Sequence, residues 1–209
     1  MPSLANLRQR QAPLLLLDAA SAHIQVGWLS ENSADDRWAD AETEAGTGLF
    51  TALAALGRDP GTARAFLFCD GPGSILGIRT AAMALRAWHV LAPRPMYAYC
   101  SLALVAHAQA ETDTWIIADA RRDSWHRYGL GGRLERVPTS ELSGRLVTPE
   151  GFRHWSTPPA GVTATPYRLP DLLAAAEQAD LFTSTESPDA FLHEEPGYKT
   201  WTPQIHRAP

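Results

Sequence analysis

Four consecutive leucines, Leu14 to Leu17, form an apolar run that stops at Asp18, and the residues from His23 to Leu29 then alternate between apolar and polar. A continuous run suits a strand covered on both faces and alternation suits its neighbour, so together they predict an antiparallel hairpin across a turn of small residues. Leu49, Leu53 and Leu56 recur at helical spacing, which predicts a helix over 42–56 stopped by Gly57 and Pro60, with Gly46 and Gly48 weakening its first turns. Ala65 to Phe68 predicts a second buried strand that enters Asp70-Gly-Pro-Gly73, and the proline-free stretch Ile75 to Leu91 predicts the helix that follows. After Pro93 and Pro95, Met96 to Tyr99 predicts another strand, and Leu102 to Ala110 another helix capped by Ser101.

The second half reads differently. Thr114 to Ala118 predicts a buried strand, and Ser124 to Leu130 with Arg133 to Val137 predicts a hairpin around Gly131-Gly132. The stretch 144–170 holds many prolines and little periodicity, so irregular connection is expected there, followed by a short helix over 171–178. No element is predicted beyond Pro188, and no internal repeat or sustained heptad pattern is visible. The division that follows is an N-terminal α/β lobe over 1–110 and a smaller C-terminal lobe over 111–209.

Bulk properties narrow the function classes. With 209 residues and 45% hydrophobic composition the chain can bury a sizeable core. A formal net charge of -5 gives no global pull toward nucleic acid, so strong direct nucleic-acid binding by this chain alone is not expected. Cys69 and Cys100 are too few for a disulfide scaffold and lack metal-ligand spacing, which points to reduced thiols in a cytoplasmic protein. Arg8 and Arg10 ahead of Pro13-Leu-Leu-Leu-Leu17 suggest a leader only superficially, because the apolar core is too short; no stretch approaches the ~20 apolar residues of a membrane span.

Candidate chemistry centres on two segments. Gly71-Pro-Gly-Ser74 sits at a strand-to-helix junction where the helix N-terminus could face an anion, yet Gly71, Gly73 and Gly77 fit neither a Walker loop nor a dinucleotide fingerprint. A structural turn with Ser74 as helix cap is the favoured reading. Asp18 either closes a strand and caps its turn or presents a carboxylate to a cleft, and the former is favoured. Asp119-Ala-Arg-Arg122 suits an internal ion pair between Asp119 and Arg121 or Arg122, with anion binding as the lesser option. The histidines at 23, 89, 107, 126, 154, 193 and 206 never stand four apart, so metal chemistry has no local support, and Ser74 lacks the nucleophile elbow of a serine hydrolase. On the 75–91 helix, Gly77, Ala81 and Ala84 form a small-residue stripe beside Ile78, Ala82 and Leu85. Burial within the chain and a docking surface stand as equal readings of that face.

Gly71-Pro-Gly-Ser-Ile-Leu-Gly-Ile-Arg79 resembles the GPGSFTGVR segment of the TsaB (YeaZ) family, and Ser101-Leu-Ala103 and Asp119-Ala-Arg-Arg122 follow in that family's order and approximate spacing. The resemblance covers about the first two-thirds of the chain. It implies an α/β, actin-like ASKHA (ribonuclease H-like) fold of two lobes of mixed sheet with flanking helices. It also implies a non-catalytic subunit that binds the catalytic subunit TsaD, with TsaE as a further partner, in forming tRNA N6-threonylcarbamoyladenosine, ATP and metal being held by the partner. On the two N-terminal-lobe helices, which the family uses in a helical bundle, it marks Leu49, Leu53, Gly77, Ile78, Ala81, Ala84, Leu85 and Trp88 as the partner face. Asp18, Gly71, Gly73, Ser74, Arg79, Asp119, Arg121 and Arg122 are the residues that would face an anion or nucleotide. The chain departs from the family in Asp18-Ala-Ala, where DTS is usual, and in Ala45-Gly46, where a His-Ser pair is usual. A kinase or glycoprotease-like hydrolase on the same fold, and a self-associating protein that dimerises through the Gly77 face, are the competing readings.

Overall fold

The computed structural model describes residues 1–191. Four layers stack in it: a helix pair, a six-stranded sheet, a second helix pair and a five-stranded sheet.

The first sheet is built from β1 (Leu14–Asp18), β2 (Ile24–Leu29), β3 (Arg37–Ala41), β4 (Ala65–Gly71) and β5 (Met96–Cys100), with β11 (Thr183–Ser184) added at its edge. Its order is β11-β5-β4-β1-β2-β3; β2 runs antiparallel to both β1 and β3, while β4 and β5 run parallel to β1. Strand β1 is flanked on both sides and covered on both faces, which is why all four of its leucines are buried. The second sheet holds β6 (Thr114–Asp119), β7 (Ser124–Gly129), β8 (Glu135–Pro138), β9 (Arg145–Pro149) and β10 (Thr163–Thr165), in the order β10-β9-β6-β7-β8. Here too the second strand runs antiparallel to the first and third, and the fourth and fifth run parallel to the first. Five strands of each lobe thus share one topology, a duplication that no sequence repeat announced.

The helices are unequally shared. α2 (Ala45–Leu56) and α3 (Ile75–Leu91) pack on the outer face of the first sheet over a core of Leu15, Leu17, Phe66, Phe68, Leu49, Ala81 and Leu85. Between the sheets, α4 (Ser101–Gln109) packs against α5 (Leu169–Ala175) and against strands of both lobes, and its residues from Ser101 to Ala106 are all buried. In the second lobe the connections corresponding to α2 and α3 are a single 3-10 turn at 139–141 and an irregular stretch after β9. Its outer face carries only a small cluster around Ile117, Trp125 and Leu146.

The α3 bounds agree with expectation, and the strands expected at 14–17, 65–68 and 96–99 form but run on to Asp18, Gly71 and Cys100. Other expectations need correction. Residues 42–44 precede α2 because β3, which lacks apolar alternation, runs to Ala41. Ser101 lies within α4 rather than capping it, and its hydroxyl donates to the Pro72 carbonyl at 2.6 Å. The stretch 144–170 contains β9 and β10, and α5 starts two residues earlier than expected and ends at Ala175. α1 (Leu4–Gln11), unforeseen, is capped by Ser3 and buries Leu4 and Leu7. After α5 the chain returns to the first sheet, where β11 pairs with β5; residues 192–209, His193 and His206 among them, lie outside the described residues.

Candidate functional site

The strand ends β1, β4 and β6 converge where the two lobes meet. Asp18 at the end of β1 is fully buried. Its Oδ1 accepts the Ala20 amide at 2.8 Å, while its Oδ2 accepts the Tyr167 hydroxyl at 2.7 Å and also the Tyr99 hydroxyl. Tyr99 belongs to β5 and Tyr167 to the segment entering α5, so one carboxylate fastens the first sheet to the second lobe. Gln25 on β2 completes the fastening, donating to the Tyr167 carbonyl and accepting the Leu169 amide, each at 2.9 Å. Burial pushes the Asp18 carboxyl above its usual range against the pull of these donors, and it pushes both tyrosine hydroxyls up as well. Asp18 therefore caps its turn and does not face a cleft, which corrects its placement among anion-facing residues.

The glycine segment forms the launch of α3. Ser74 Oγ accepts the Gly77 amide at 3.3 Å, and the Ser74 amide donates to the Ala20 carbonyl at 2.7 Å, so two amides at this helix start are engaged within the chain. A Cβ at Gly77 would collide with the Ala19 carbonyl oxygen, and one at Gly73 with that of Ala20. The small residues here let α3 lie directly on the β1–β2 turn.

Asp119, at the end of β6, makes no ion pair with the arginines beside it. Its carboxylate accepts three backbone amides instead, those of Arg121 (2.6 Å), Trp155 (2.8 Å) and Ser156 (2.6 Å). Burial alone would raise its pKa; the amides, Ser156 foremost, outweigh that and hold the carboxyl below its usual range. The expected ion pair fails because Arg121, Arg122 and Asp123 all adopt left-handed backbone, turning the loop so that amides rather than guanidiniums meet Asp119. The Arg121 guanidinium lies 4.2 Å above the Trp155 ring. Gly71, Pro72, Arg121 and Trp155 line a cleft of about 200 Å³ between the lobes, which Ala190 and Phe191 border. Among the described residues, no group of three or more His, Cys, Asp or Glu side chains is placed to hold a metal.

The second candidate surface is the outside of the α2–α3 layer. Phe50, Leu76, Met83 and Val90 are 54%, 73%, 59% and 81% exposed. Leu76, Thr80, Met83, Ala87 and Val90 are spaced four and three residues apart, which puts them in one stripe along α3. Leu76, Thr80, Met83 and Ala87 border, with Phe50, an open apolar groove whose floor includes Ala84. The residues expected as the partner face lie on the opposite side: Leu49, Leu53, Gly77, Ile78, Ala81 and Leu85 are buried in the chain, and Trp88 is half-buried against Phe66. Of that set only Ala84 lines the groove. Apolar residues occupy both faces of α3, and small ones allow close approach to any neighbour; Gly77 meets the chain's own β1–β2 turn, and Ala81 and Ala84 are buried in the core beneath the helix. Arg79, expected near an anion, is half exposed and pairs with Asp189 at 3.5 Å.

No protein-family model matches the chain. No curated protein matches it. Among solved structures it is similar to YeaZ from Pseudomonas aeruginosa, at 21% identity and a TM-score of 0.58 over 78% of this chain and 89% of that one. It is also similar to an uncharacterized protein with similarity to peptidase YeaZ from the same organism, at 22% identity and a TM-score of 0.56 over the same shares. The chain accordingly has the actin-like ASKHA fold of these structures, two lobes of mixed sheet with flanking helices.

Proposed function

We propose that this chain is a TsaB-type accessory subunit that docks onto a TsaD-type catalytic subunit and supports N6-threonylcarbamoyladenosine formation on tRNA, with TsaE as a further partner. The observation that carries the reading is the exposed apolar stripe of Leu76, Met83 and Val90 beside Phe50, on the two helices that the family resemblance assigns to a helical bundle. Four large apolar side chains in water along one helix pair are what a bundle-forming partner would cover. The burial of Asp18 supports a non-catalytic role: an enzyme that meets a phosphate at this strand end needs the carboxylate open, and here both oxygens are taken inside the chain.

The test is reconstitution with the host's TsaD, TsaE, TsaC and tRNA, reading the modified nucleoside by mass spectrometry. Formation should depend on this chain and should fall sharply with Met83→Glu, which places a charge in the groove at a cost of about 2 kcal/mol or more of docking energy. Modification that proceeds equally without the chain would sink the assignment.

A further inference from the structure

Beyond β11 the chain continues along α3. The Thr185 amide donates to the Met96 carbonyl at 3.0 Å, the Phe191 amide donates to the Asp70 carbonyl at 2.7 Å, and Ala190 is buried. Between these anchors Asp189 lies 3.5 Å from Arg79 and 3.4 Å from Arg86, and Ser187 Oγ accepts from Arg86 at 3.3 Å. Arg79 and Arg86 are seven residues apart, so they share one edge of α3, next to the Leu76–Met83–Val90 stripe. The apolar surface has a cationic border, and the chain's own acidic segment already lies against it.

Those contacts leave the arginines under-used. One carboxylate is shared, a single oxygen to each guanidinium, where a well-matched pair would be two-pronged. The Arg86 Nε is buried and has no hydrogen-bond partner among the described residues. All three side chains of the arrangement are more than a third exposed, where an ion pair is weak and readily exchanged.

We propose that Asp189 stands in for acidic residues of the docking partner. The face takes an amphipathic helix whose apolar stripe covers Leu76, Met83 and Val90 and whose carboxylates, along one edge, take Arg79 and Arg86 and displace the segment 185–191. This rests on the docking reading above and adds to it the charge of the partner and the exchange that accompanies docking. A helix with the apolar stripe but no acidic edge gains nothing from the arginines, so the segment acts as a selectivity element.

The test uses the full chain and the host's TsaD, comparing wild type, Asp189→Asn and Met83→Glu by calorimetry at two salt concentrations, with hydrogen exchange of 185–191 read in the free chain and in the complex. Asp189→Asn should bind about three- to tenfold tighter, the worth of one or two exposed ion pairs, and with a steeper salt dependence. Exchange in 185–191 should rise on docking. If Asp189→Asn binds no more tightly, or if 185–191 stays protected in the complex, the exchange is overturned, while weak binding by Met83→Glu keeps the docking reading. Undetectable wild-type binding, or binding that Met83→Glu leaves unchanged, overturns both.

Discussion

Asp70→Asn should stabilise the protein at neutral and alkaline pH and do little in acid. Asp70 is the penultimate residue of β4, its carboxyl is largely out of water, and no cation pairs with it among the described residues. Desolvation pushes its pKa from 3.8 up to about 7. A carboxyl that ionises later in the native state than in the unfolded chain adds stability that is complete below the unfolded pKa and is lost as pH rises through the folded one. The window therefore runs from about pH 4 to about pH 7. A pKa of about 7 in place of 3.8 corresponds to about 4 kcal/mol, and residual water contact reduces the expectation to about 2–4 kcal/mol. Asparagine keeps the shape and removes the charge. Urea denaturation followed by tryptophan fluorescence, for wild type and variant at pH 4.5, 6 and 8, isolates this one group because the other titrations cancel in the difference. The variant's advantage should be small at pH 4.5 and grow to its full value by pH 8. An advantage that is constant with pH, or that shrinks as pH rises, would refute the reasoning.

Three further outcomes follow from the strand-end geometry. Asp119→Asn should show the opposite sign, costing about 1–3 kcal/mol at pH 7, with the cost fading as pH falls below 4, because a depressed carboxyl contributes stability above its unfolded pKa and loses it in acid; the same urea series reads it. Tyr167→Phe removes one donor to buried Asp18 and should lower stability by about 1.5–3 kcal/mol without changing the fold by circular dichroism, and a loss below about 0.5 kcal/mol would contradict the lobe-fastening role. Gly77→Ala should lower Tm by several degrees, since the added methyl meets the Ala19 carbonyl and α3 must lift from the β1–β2 turn; an unchanged melting curve would show that α3 is not held there.

How much of the fold was legible depended on whether local signals carried it. α3 was read to the residue because Ser74, the proline-free apolar run and the prolines after it mark both ends. β9 and β10 were hidden because they are short and lie in a proline-rich stretch; the pairing of β9 with β6 and of β10 with β9 is set by the sheet, and nothing in their own periodicity announces it. β3 is an edge strand with only Ala41 buried, so alternation was never imposed on it. The topological duplication was invisible for a related reason. Strand order is a property of pairing, and two lobes can share it while their helices and side chains differ completely.

The candidate site shows the same limit at the level of single side chains. Sequence reading singled out α3 and the residues at the ends of β1 and β6, but composition does not say which way a helix is rolled. Gly77, Ala81 and Ala84 satisfy the requirement for close approach equally well whether the neighbour is a partner helix or the chain itself, and the Ala19 carbonyl against Gly77, with Ala81 and Ala84 buried in the core, decides for the latter. That choice has a consequence for the whole surface. Once the small stripe is committed inward, helical geometry fixes Leu76, Thr80, Met83, Ala87 and Val90 outward, so the contact that seats α3 on the sheet also presents its apolar face. A sequence built only to bury α3 would have made that outer stripe polar. Its apolar character, set beside an arginine edge that the chain's own Asp189 satisfies poorly, is the part of this structure that folding alone does not require.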